Sequence, residues 1–155
     1  MDERILEIVI YMVSRLREED GDRPQINDMA RDLQSQGFTE REISSAYSWM
    51  FDRYGGEFDR LSRSEEAIIQ STRVLAPRER LAVSADAFGY LGRLVTLGIL
   101  RRADLEEVIE ACVQSGRHDV TSDEMKMIVS GALFGSDTHS FGAAALHTDE
   151  NLFLN

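Results

Sequence analysis

One cysteine, two prolines and one tryptophan stand in a chain of 155 residues, and 17 basic side chains face 28 acidic ones. Each shortage excludes something. A single thiol, Cys112, can form neither an internal disulfide nor a cysteine-based zinc site. It falls on the apolar side of a predicted helix with no base near it in sequence, where a free cysteine behaves as a small hydrophobe. The deficit of base leaves a formal net charge of −11. Such a surface repels phosphate backbones, whose binding rests on Lys and Arg displacing counterions, so autonomous nucleic-acid binding is disfavoured. The nearest approach to a basic patch, Arg101-Arg102 with the spaced Arg73, Arg78 and Arg80, is thin. A membrane span is not expected either: the most apolar stretch, Pro77 to Leu97, is short and carries Asp86 and Arg93, both costly in lipid. The acidic start, Met1-Asp2-Glu3-Arg4, enters an amphipathic helix without the basic region and cleavage site of a signal peptide, so a cytoplasmic protein is expected.

Reactive motifs are scarce as well. There is no P-loop, no dinucleotide glycine pattern and no nucleophile elbow. His118, His139 and His147 are the candidates for a base or nitrogen ligand, and no pair of them has the fixed helical spacing that preorganises a metal. Neighbouring carboxylates such as Glu65-Glu66, Glu106-Glu107 and Asp123-Glu124 point to different sides of their helices and act as solubilising charge. No catalytic residue, cofactor or metal is therefore assigned. An enzyme would require a polar pocket around His118 and Asp119.

What the chain has in quantity is helix. Hydrophobic content of 43% with 29% charged residues suits a globular domain with a real core. Ile5, Leu6, Ile8, Val9, Met12, Val13 and Leu16 fill one face of a first helix. A second begins near Asn27, turns Met29, Ala30 and Leu33 inward, and stops at Gly37, which suits a left-handed cap. Thr39 opens the third with Glu42 three positions on, a capping box, and Ile43, Ala46, Tyr47, Met50 and Tyr54 form its inward stripe with Phe51 at the edge. The outline from Asn27 to Tyr54 is that of a helix-turn-helix. Residues 57–76 read equally as a short helix or an extended segment; extended and paired, Ile68 to Leu75 would be the wing of a winged helix.

Pro77 opens a fourth helix expected to run to Leu97, apolar around almost its whole circumference, with Gly89 and Gly92 read as places where a neighbouring helix comes close. Asp104 with Glu107 and Thr121 with Glu124 mark two further starts, and Gly116 and Gly135 the corresponding ends. The expected fold is all-α: residues 1–56 a three-helix unit with helix-turn-helix outline, 57–76 a linker, 77–135 a second three-helix unit, and 136–155 a mobile tail.

One aromatic stands out of pattern. Trp49 lies off the stripe of the third helix, on a side shared with Ser45, Ser48 and Asp52, where it must be covered either by the protein's own structure or by a partner. Leu152-Phe153-Leu154 near the C-terminus is apolar enough to dock back on the protein or to engage a partner as well. These residues define a non-catalytic, acidic protein-interaction module with an unidentified protein partner. The competing reading is an accessory factor in DNA processing that touches DNA through the helix-turn-helix, where the third helix offers Arg41 and Arg53 against Glu40, Glu42 and Asp52.

The string Leu33, Gly37-Phe38, Glu42-Ile43, Ala46 and Trp49, then Arg73-Val74 and Pro77, then Gly89, Leu91, Leu94, Leu97 and Leu100, resembles the bacterial Smg family. A further block, Glu107, Val108-Ile109, Val120 and Glu124 to Lys126 through Ala132-Leu133-Phe134, extends the resemblance over nearly the whole chain. Met127 departs from it, where the family often has tryptophan, as do Tyr47 and Met50 beside Trp49. The resemblance implies a cytoplasmic bacterial protein, encoded near genes of DNA processing, from a family with no established active residue. It supplies no mechanism.

Overall fold

A computed structural model describes residues 2–18, 26–55 and 73–135. The described residues are all-α: seven helices and no strand. The chain divides into two compact units, Glu3–Ile68 and Ile69–Asn155.

In the first unit α1 spans Asp2–Glu18, α2 Ile26–Ser35 and α3 Glu40–Tyr54. Apolar residues at helical spacing make the core: Ile5, Leu6, Ile8, Val9, Met12 and Val13 from α1, Met29 and Leu33 from α2, and Ile43, Ala46 and Met50 from α3. Asn27 lies inside the first turn of α2 rather than at its cap. The turn into α3 is made by Gly37 at φ +92, with the Gly37 amide donating to the Gln34 carbonyl (3.0 Å) and the Phe38 amide to the Leu33 carbonyl (3.1 Å). That conformation suits a residue without Cβ and gives the carbonyls at the end of α2 their donors. Across the unit, Tyr11 donates its hydroxyl to Asp32 at 3.0 Å. Partial burial and this bond push the phenol's pKa up.

The second unit holds four described helices where three are expected: α4 (Pro77–Ala82), α5 (Ala85–Thr96), α6 (Arg102–Gln114) and α7 (Ser122–Phe134). α4 packs on α6, and α5 on both α6 and α7. The predicted single helix from Pro77 to Leu97 is broken at Val83, which is extended (φ −121, ψ 124). Its partner is remote in sequence. Val83 and Val120 form an isolated parallel bridge, the Asp119 and Val120 amides donate to the Leu81 and Ala82 carbonyls (2.8 and 2.9 Å), and the Ser84 amide donates to the Val120 carbonyl (3.1 Å). Ser84 then caps α5 by accepting from the Ala87 amide at 3.1 Å. The break ends the expected run of apolar residues around one helix, and Leu81 is 65% exposed.

Two other expectations change. A Cβ built on Gly89 or Gly92 meets nothing within 4 Å, so among the described residues no neighbouring helix comes close there. Asp104 is the third residue of α6, not its cap: the helix starts after Arg101, whose amide (2.9 Å) and guanidinium (2.9 and 3.0 Å) both donate to the buried Asp104 carboxylate. The boxes at Thr39–Glu42 and Thr121–Glu124 form as expected.

Candidate interaction surface

α3 is fixed at both ends. At its start the Thr39 hydroxyl accepts from the Glu42 amide (3.3 Å) and the Glu42 carboxylate accepts from the Thr39 amide (2.8 Å). At its end Gly55 adopts φ +59 and donates its amide to the Phe51 carbonyl. Between them, the four α3 residues expected to bind a partner divide: Ser48 and Asp52 are exposed, Ser45 and Trp49 half-buried.

Trp49 is partly covered by its own helix. The Arg53 guanidinium lies over its ring at 5.2 Å from the centroid, within cation–π range, and the Tyr54 ring meets it edge-on at 6.3 Å. Burial pushes the Tyr54 phenol's pKa up and draws that of the Arg17 guanidinium down. The large apolar side chain that α3 gives to solvent is Phe51, 51% exposed. Sequence reasoning placed Phe51 at the edge of the inward stripe and passed over it; its position on the wheel, beside Ser44 and Ser48, was the available signal. Leu152, Phe153 and Leu154 lie outside the described residues, as do His139 and His147.

The bases offered for nucleic acid are largely engaged. On α3, Arg41 is exposed while Arg53 rests on Trp49. In the second unit Arg73 forks onto Glu106 (2.6 and 2.8 Å) and Glu79 (2.8 and 3.1 Å), Arg80 donates to the Leu75 carbonyl at 3.1 Å, and Arg101 is held by Asp104. His118 and Asp119 are exposed on the α6–α7 turn, so the turn does not bury them in a pocket. Cys112 is buried, and burial pushes its thiol's pKa up, which suppresses the reactive thiolate. Among the described residues no group of three or more His, Cys, Asp or Glu could hold a metal ion, and no helix is long and apolar enough to cross a membrane.

The described helices thus present Phe51 on the solvent side of α3, while His118 and Asp119 are exposed and Cys112 is buried. The family profile described as "protein of unknown function (DUF494)" matches residues 5–154, and the chain belongs to this family, the bacterial Smg family. It is 24% identical over 153 residues to a protein Smg homolog of Methylococcus capsulatus, covering 98% of this chain and 94% of the relative. It is 30% identical over 138 residues to a protein Smg homolog of Alkalilimnicola ehrlichii, covering 86% and 84%. A third relative, the protein Smg homolog of Thioalkalivibrio sulfidiphilus, is 28% identical over 138 residues, again covering 86% and 84%. No solved structure matches the chain.

Proposed function

We propose that this Smg-family protein is a non-catalytic interaction module that binds another protein through the solvent face of α3. The observation that carries the reading is Phe51, a half-exposed aromatic on a helix capped at both ends, with Ser48 and Asp52 beside it and the partly covered Trp49 and Ser45 at the margin. Aromatic anchors of this kind dominate interface energetics when a partner pocket desolvates them. The net charge of −11 favours a partner whose surface around that pocket is basic. Leu152-Phe153-Leu154 is a second apolar contact in the same reading.

The test compares proteins captured from the native cytoplasm by the wild-type chain, Phe51→Ser, Trp49→Ala and a chain ending at Glu150, with circular dichroism of each. The expected result is a folded Phe51→Ser protein that loses a specific partner. Trp49→Ala should lose the same partner and also melt earlier, because its ring carries the Arg53 and Tyr54 contacts. An unchanged partner set in both α3 variants would overturn the reading. The DNA-processing alternative draws support from the tight α2–α3 turn and the exposed Arg41.

A further inference from the structure

We propose that Arg4 is a strap that holds the α2–α3 turn closed, and that its release loosens the start of α3 while the helical core of the first unit stays folded. One side chain from the first turn of α1 makes four contacts on that turn. Its Nε donates to Glu42 Oε1 at 2.6 Å, and its Nη2 donates to Glu42 Oε2 at 3.2 Å and to the Gly37 carbonyl at 2.9 Å. The guanidinium also lies 4.8 Å from the centroid of the Phe38 ring. The strap thereby joins the residue that turns the chain, the residue after it, and the acid that caps α3.

The two partners of the ion pair are not equivalent, and this makes the contact releasable from one side. The Arg4 side chain is 47% exposed and can return to water, whereas Glu42 is 10% exposed and cannot without moving. A carboxylate left there without its cation must take up a proton or swing outward. Outward rotation removes the acceptor from the Thr39 amide, which Glu42 Oε2 holds at 2.8 Å, and an orphaned amide frays the first turn of α3. Strap and cap therefore open together. The charged groups acting on the pair are Arg4 itself, Glu42 from α3 and Glu7 from α1. The core residues Val9, Met12, Leu33, Ala46 and Met50 are buried, and the contacts of Arg4 described above run to Glu42, Gly37 and Phe38 instead.

Amide hydrogen exchange on the whole chain tests it, with Arg4→Met and Glu42→Gln as the variants. Gln at this position can still accept from the Thr39 amide, so it removes the charge of the strap and keeps the cap. In Arg4→Met, the Phe38 and Ile43 amides should exchange about tenfold faster or more, while amides at Val9 and Met50 change by less than about twofold. Glu42→Gln should show a smaller acceleration at the same two amides. The Glu42 carboxyl, held at about 2 chiefly by its bond to Arg4, should titrate well above that value in Arg4→Met. Unchanged exchange at Phe38 and Ile43 would overturn the strap. So would equal acceleration at Val9 and Met50, since that pattern means general destabilisation.

Discussion

Arg73 binds two carboxylates with one guanidinium, and the three groups are only partly open to water, at 24%, 21% and 56% for Arg73, Glu79 and Glu106. Glu79 also accepts from the Ala76 amide at 2.7 Å, so the acid that opens α4 is the acid that anchors the segment before it. The bonds to Arg73 are the main cause holding both carboxyls below their ordinary value of 4.5. A depressed folded pKa gives stability that is fully present above about 4.5 and is lost as pH falls through the folded values. Arg73→Met should therefore cost about 1–3 kcal/mol at neutral pH, the range of charge-assisted hydrogen bonds, with the partial exposure of Glu106 drawing it toward the lower end. Urea melts across a pH series should show the gap between wild type and variant narrowing below about pH 4.5. A gap that persists unchanged into acid would mean that packing, not the ion pairs, supplies the difference.

At the scale of the element, α5 combines a good start with a poor middle. Ser84 caps it through the Ala87 amide, while Gly89 and Gly92 sit inside it with open space where a Cβ would be. Gly89→Ala should raise stability by about 0.5–1 kcal/mol, because alanine reduces the freedom of the unfolded chain and meets no obstruction in the helix. Ser84→Ala should lower it by about 1 kcal/mol. Thermal melts of the two variants should move in opposite directions, and a destabilised Gly89→Ala protein would show that the face is covered after all. Local signals of this kind were readable in the sequence: the Thr39–Glu42 and Thr121–Glu124 boxes, the glycine turn at Gly37 and most of the inward stripes of α1 to α3 form as expected, while Leu16, Ala30, Tyr47 and Tyr54 are only half-buried. Non-local ones were not. The stop at Val83 depends on backbone pairing with Val120, which no window of sequence around Val83 contains, and Arg101 reached Asp104 from a position that composition does not mark as a cap. On the candidate surface, the out-of-pattern placement of Trp49 was legible, but the Arg53 and Tyr54 contacts that partly cover it were not, so Phe51 was undervalued.

For the whole molecule, charge bears on the two functional readings more directly than shape does. α2 and α3 are consecutive helices joined by a tight turn, and the helix-turn-helix outline expected of them would not by itself bind a duplex, because that affinity comes mainly from cations placed against phosphates. Of the bases α3 carries, Arg41 is exposed and Arg53 lies over Trp49, while Glu40 and Asp52 are exposed alongside. Arg73 and Arg101 in the second unit are committed to carboxylates of the protein itself. With a net charge of −11, a mobility-shift assay at about 50 mM salt should show no retarded band up to about 100 µM protein, the weak end of non-specific binding. A band that appears at low salt, fades as salt is raised and is abolished by Arg41→Glu would overturn this expectation. It would also assign the solvent face of α3, where Arg41 shares the helical stripe of Ser45, Ser48 and Asp52, to a phosphate rather than to a partner protein.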